Sequence, residues 1–118
     1  MTDLGATEGD VADAAAVVRL EGEVDLATAE RAAERLRAAE AVAVVDAPAV
    51  VVLDLSQVTF LGSVGLAMMV EHDQLCAAMG SRLYVIVGNN QSVWRPIRLA
   101  RLDSVLTIVS SVAEAIGV

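Results

Sequence analysis

The stretch FLGSVGLAMMV, residues 60–70, carries one hydroxyl, Ser63, between two glycines, Gly62 and Gly65. It joins the apolar run VVVLDL (50–55) to a second apolar run, the pattern of a strand turning into a helix. The first N–H groups of a helix lack intrahelical partners, and the helix dipole places partial positive charge there. A serine at such a turn has two uses. It can cap the helix by accepting from the N–H of Gly65 or Leu66, a bond of about 1 kcal/mol. Its hydroxyl, left open by the flanking glycines, can instead accept a phosphoryl group where negative charge is favoured.

Other chemistry-bearing residues are few. Asp25 stands ahead of the first helical stretch, where it or Thr28 is available as a cap. Asp54 and Ser56 follow one another closely, but a lone histidine, His72, cannot complete a triad with them, so Asp-Leu-Ser reads as turn chemistry at the end of a strand. His72 falls among Glu71, Asp73 and Gln74 and is expected on a wet helix face. The single cysteine, Cys76, excludes an internal disulfide and reads as a small buried hydrophobe. With one histidine and one cysteine no metal site is expected. Met68 and Met69 read as core, or as a flexible partner surface beside Ser63. Arg95, Arg98 and Arg101 recur on one solvated side of a short helix, with Trp94 beside them as a core or interface anchor.

The totals narrow the function further. All eight cations are arginine, so no Schiff-base or P-loop lysine exists, and no GxGxxG is present. A formal charge of −8 opposes non-specific binding to nucleic acid or to an anionic membrane. No apolar run approaches the roughly 20 residues of a membrane span, and the N-terminus has no signal-peptide pattern, so a cytoplasmic protein is expected. The 118 residues suit one domain, without cofactor.

Residues 1–14 read as a mobile lead-in or an edge strand near Val11. AVVRLEGEV (16–24) alternates as a half-buried strand in which Gly22 permits a bulge or a tight bend. DLATAERAAERLRAAEAV follows as a helix with a stripe of Leu26, Ala29, Ala33 and Leu36. Pro48 ends an ambiguous segment before the strand 50–55. A helix over Val64–Met79, stopped by Gly80, and the strand RLYVIV (82–87) complete a βαβ unit, expected to cross over right-handed. After the turn GNN, Ser92–Leu102 reads as a short helix in which Pro96 fits only the first turn. VLTIV (105–109) supplies a last strand, and SVAE (111–114) is a capping box opening a terminal helix through Ile116. The fold class is α/β: a mixed sheet of four to five strands flanked by about four helices.

VVLDLSQVTFLGSVGLAMMV resembles the signature of the STAS domain of bacterial anti-sigma factor antagonists, a strand ending in Asp-Leu-Ser that leads through Val-x-Phe to an Asp-Ser-Ser/Thr-Gly-Leu turn. LEGEVDLATAE is similar to that family's Gly-Glu-Leu-Asp segment, and IRLARLDSVLTIVSSVAEAI to its ending, so the resemblance covers residues 17–117 in order. It implies that Ser63 is the serine phosphorylated by the cognate anti-sigma kinase and that Asp25 is the acidic residue supporting it. Two positions depart: Gly62 replaces the usual Asp and Val64 the usual Ser or Thr, with Gly65 retained. The implied function is an antagonist without catalysis of its own. It binds an anti-sigma factor of the histidine-kinase-like ATPase fold while Ser63 is unphosphorylated, is released on phosphorylation, and is reset by a serine phosphatase. The altered turn leaves a second expectation, a non-switching STAS module that serves as subunit or scaffold of a lipid-transport or signalling assembly.

Overall fold

The computed structural model describes residues 9–12, 15–45 and 50–117. Five strands form one sheet in sequential order: β1 (Gly9–Ala12), β2 (Ala15–Val24), β3 (Val50–Leu61), β4 (Arg82–Ile86) and β5 (Thr107–Val109). β1 pairs antiparallel with β2, Val11 opposite Ala16, which is the expected edge strand. The other four strands are mutually parallel. Helices α1 (Ala29–Val45), α2 (Ser63–Ala78), α3 (Gln91–Leu99) and α4 (Val112–Ala115) fill the connections and the carboxyl terminus, and a single 3₁₀ turn (Leu102–Ser104) precedes β5.

α1, α2 and α3 bury the larger core against Val18, Leu20, Val51, Leu53, Leu55, Leu83, Val85 and Val87. α4 covers a smaller one on Val17, Val52, Ile86 and Val109. Its Ser111 cap forms as expected, accepting from the Glu114 N–H, while Glu114 reaches back one residue past the N-cap, to the N–H and hydroxyl of Ser110. Those two donors hold the exposed Glu114 carboxyl below its ordinary range.

Several expectations need correction. Leu26 belongs to the turn before α1 and is 82% exposed. The buried stripe of α1 is Ala29, Ala32, Leu36, Ala39, Glu40 and Ala43. α3 continues past Pro96 and ends before Ala100, so Arg101 leaves the row of arginines and adopts a left-handed conformation beyond the helix. Asp-Leu-Ser is not the end of a strand: β3 runs on to Leu61, and Asp54 accepts from the Ser56 N–H inside it. Pro48 lies outside the described residues.

β3 overhangs its neighbour on one side. β4 pairs only as far as Asp54↔Ile86, whereas β2 follows to Val24↔Leu61. Along that overhang the register with β2 slips between Arg19 and Glu21 and again between Gly22 and Glu23, each slip inserting one extra residue in β3. Gly22 takes φ +76° at this irregularity, a conformation glycine adopts without strain. The bulges change which residues face inward. Leu53 and Leu55 are spaced by two, but the next buried positions are Val58 and Leu61, spaced by three, so Phe60 turns outward and is 51% exposed.

Candidate functional site

The overhang of β3 sets up the site. Its last residue, Leu61, passes directly into Gly62, whose N–H donates to the Val24 carbonyl (2.9 Å), tying the turn to the end of β2. Gly62 is the N-cap of α2: its carbonyl accepts from Leu66 N–H (3.1 Å), and it has no side chain to bond with. Ser63 is therefore the first residue of the helix and not its cap. Its side chain is exposed and makes no hydrogen bond to a described residue. The helix opens with no acidic residue in its first turn. A hydroxyl facing solvent at an uncapped helix start, beside its unpaired N–H groups, is placed where a dianion is electrostatically tolerated.

Gly65 is fixed by packing. A Cβ at this position would sit 2.6 Å from Leu61 Cδ1 and 2.9 Å from Val24 Cγ1, inside the contact distance of carbon atoms. The missing side chain lets the first turn of α2 lie directly on the ends of β2 and β3. Gly65→Ala is expected to cost about 1–3 kcal/mol through overpacking, seen as a lower urea midpoint with unchanged slope. A wild-type midpoint would show that α2 shifts freely over the strand ends. Gly62 is less confined: a Cβ there would meet Phe60 Cε2 at 3.2 Å, and the ring is half exposed and can give way.

Asp25 follows Val24 and so reaches the same end of the sheet. Its carboxylate is engaged locally, accepting from the N–H groups of Ala27 (3.0 Å) and Thr28 (3.1 Å). The Thr28 hydroxyl accepts from Asp25 N–H and donates to the Glu23 carbonyl (2.7 Å). Asp25 thus shapes the entry to α1, as a cap would, and no bond joins it to Ser63.

Met68 and Met69 are not a partner surface. Both are buried, because they occupy the inward stripe of α2 formed by Gly65, Met68, Met69, His72 and Cys76. The side chains that are exposed near the turn are Leu26, Phe60 and Val64. Leu26 comes from the segment after β2, Phe60 from the end of β3 and Val64 from the start of α2, three segments that meet at Gly62.

Asn90 escaped the sequence reading except as part of a turn, and Trp94 was read there as a core or interface anchor. Asn90 bridges α3 and β3: its amide NH₂ donates to the carbonyls of Leu55 (3.0 Å), Ser56 (3.3 Å) and Val58 (2.7 Å), and its oxygen caps α3 by accepting from Ser92 N–H (3.1 Å). It satisfies the part of β3 that β4 does not reach. Trp94 supports the same junction by donating to the Gly88 carbonyl (2.9 Å), and Arg98 stacks on its ring at 4.7 Å.

His72 is not on a wet face. It is 2% exposed, and its Nδ1 meets Glu40 Oε2 of α1 at 2.5 Å. Cys76 is buried beside them, with Sγ 3.9 Å from the same oxygen. Burial, then the nearby Glu40 and Asp73 carboxylates, push the Cys76 thiol up to about 12. It is a thiol at neutral pH, and unreactive. Among the described residues no three His, Cys, Asp or Glu side chains are arranged to hold a metal ion, and no helix is long and apolar enough to cross a membrane.

Comparison with known proteins places this geometry. The STAS domain model matches residues 7–115. RsfB, the anti-sigma-F factor antagonist of Mycobacterium tuberculosis, is 36% identical over 101 residues, in strains H37Rv and CDC 1551 alike, covering 86% of this chain and 78% of RsfB. The crystal structure of an anti-sigma factor antagonist from Mycobacterium paratuberculosis superimposes with a TM-score of 0.78 at 29% identity, over 92% of this chain and 87% of that one. The Thermotoga maritima protein TM1081 shares the fold, with a TM-score of 0.76 at 18% identity over 92% and 89% of the two chains. With the sequential mixed sheet, the glycine-seated α2 and a family match across nearly its whole length, the chain belongs to the STAS domain family.

Proposed function

We propose that this protein is an anti-sigma factor antagonist whose binding is switched at Ser63. The observation that carries the reading is the exposed Ser63 hydroxyl on the first residue of α2, without a hydrogen bond to any described residue, and with apolar Leu26, Phe60 and Val64 on the segments around it. The names of RsfB and of the Mycobacterium paratuberculosis protein support it. In this reading the unphosphorylated face docks on an anti-sigma factor with the histidine-kinase-like ATPase fold, and the sigma factor is freed. The kinase transfers the γ-phosphoryl group of ATP to Ser63 Oγ, with loss of the hydroxyl proton and release of ADP. The phosphate adds about −1.5 to −2 charge. The helix terminus tolerates that charge, but an apolar contact does not, so desolvation and repulsion release the partner. A serine phosphatase restores the hydroxyl. The protein acts as a cytoplasmic binding partner, without catalysis, cofactor, nucleic acid or membrane of its own.

The turn needs no carboxylate at position 62 for this. Gly62 caps α2 through its backbone alone, and a neighbouring Asp would add like charge beside a phosphoserine. With the cognate anti-sigma factor in a binding titration, Ser63→Ala is expected to retain wild-type affinity in the presence of ATP. Ser63→Glu should bind at least about tenfold more weakly. Mass mapping of protein recovered from its host should find one phosphoryl group, on Ser63, whose occupancy varies with growth conditions. Equal affinities of the two variants, with Ser63 always unmodified, would favour the non-switching module, for which the departures Gly62 and Val64 are the motive.

A further inference from the structure

A groove of about 320 Å³ runs between the outward side of the β3 overhang and one face of α3, lined by Thr59, Phe60 and Leu61 on one wall and Ser92, Arg95 and Leu99 on the other. Its rim is apolar and open: Phe60 is 51% and Leu99 81% exposed. Exposed aromatic and aliphatic side chains flanking one concavity are what a soluble domain leaves for a partner. The walls are also held together in advance, because the Asn90 amide bonds β3 and caps α3 at once, so little ordering is left for binding to impose.

Charge identifies the occupant. The chain carries 16 acids against 8 arginines, yet no acid lies between Glu71 and Asp54 in the overhang and turn, and none between Leu83 and Leu102. The second of these segments holds Arg95, Arg98 and Arg101. Arg95 lies in the wall of the groove, exposed, and makes no ion pair with a described residue. Arg98, one turn on, is steadied by Trp94. Arg95 is thus the one charged side chain among the described residues that line the groove, a cation on a strongly anionic protein, with Glu23 of β2 on the far side of Phe60.

We infer that the groove between Phe60 and Leu99 docks an acidic amphipathic segment of the partner protein, its aliphatic or aromatic side chain seated in the groove and its carboxylates paired with Arg95 and with Arg98 one turn on. The inference rests on the reading of this end of the sheet as the partner face, and it is independent of whether Ser63 takes a phosphate. It assigns to the face a second anchor, of opposite electrostatic preference: phosphate at Ser63 disfavours the partner, and Arg95 attracts it.

The test is selection of random 12-residue peptides displayed on phage against the full, unphosphorylated chain, followed by titration of the synthetic peptides. Expected are sequences in which Asp or Glu flanks a Leu, Ile, Phe or Trp. Their affinity should fall at least about tenfold with Arg95→Glu and with Phe60→Ser, and fall with rising salt. Both substitutions are of exposed side chains, and retained urea midpoints exclude misfolding. Failure to select any peptide, selection without acidic enrichment, or binding that survives Arg95→Glu would overturn the inference. So would a dimer of the chain that Leu99→Ser dissociates, because the groove would then belong to a second copy. None of these outcomes bears on the Ser63→Ala and Ser63→Glu comparison, so the two readings fail separately.

Discussion

Glu40→Ala is expected to lower the free energy of unfolding by about 3 kcal/mol or more. Glu40 and His72 are the two buried charged or polar residues among those described, and they meet across the α1–α2 packing with Nδ1 and Oε2 2.5 Å apart. Removing the carboxylate deletes buried atoms and leaves the imidazole with no acceptor at a position water does not reach. An unsatisfied buried polar group costs about 1–3 kcal/mol, and the cavity adds to it. His72→Ala is expected to cost a similar amount by stranding the carboxylate. The decisive variant is the double replacement Glu40→Leu with His72→Leu, which removes both polar groups and keeps the volume. It should lie much closer to wild type than either alanine variant, because apolar side chains in place of a buried pair are often neutral or better. Urea titration of the four proteins measures this directly. Additive losses, with the double variant the least stable, would show that the pair packs as ordinary side chains and is not a coupled unit.

His72 also shows where the sequence was readable and was not read. Gly65, Met68, Met69, His72 and Cys76 recur at steps of three and four, one face of a helix, and the histidine stands in the middle of that series. Its polar neighbours in sequence, Glu71, Asp73 and Gln74, suggested water, but adjacent residues on a helix point in different directions. Glu40 stands in the same relation to Leu36 and Ala43 on α1. The period alone predicts that both are buried, and a buried His with a buried Glu predicts their contact. The order of strands and helices, the edge strand at Val11, the bulge at Gly22 and the cap at Ser111 were legible because each follows from a local pattern. Phe60 and Asn90 were not. The outward turn of Phe60 depends on two bulges in β3, and nothing in QVTF marks where an extra residue enters the register. The role of Asn90 depends on carbonyls more than 30 residues away, so from the sequence it was only part of the turn GNN. For the same reason Met68 and Met69 were left open between core and the exposed surface beside Ser63, when they are core and the long-range register gives that surface to Leu26, Phe60 and Val64.

Asn90→Ala is expected to cost about 2–4 kcal/mol: the capping bond to Ser92 accounts for about 1, and the abandoned carbonyls of β3 for the rest. Asn90→Asp separates the two contributions. Aspartate keeps the oxygen that caps α3, and at a helix start its charge is favourable. It has no N–H to donate, however, and sets a carboxylate against the carbonyls of Leu55, Ser56 and Val58. If capping were the function of Asn90, Asp would be near wild type. If it is the clamp between α3 and the β3 overhang, Asp should destabilise at least as much as Ala, and amide exchange should accelerate in α3 around Val93 and Ile97, whose side chains otherwise pack fully buried against the sheet. The clamp interpretation also has a functional consequence, because Asn90 holds the wall that carries Arg95 and Leu99 against the wall that carries Phe60. Selected acidic peptides should therefore lose affinity in Asn90→Ala under conditions where the protein is still folded, although Asn90 itself does not line the groove. Undiminished affinity would mean that α3 keeps its place through Val93, Ile97 and Trp94 alone.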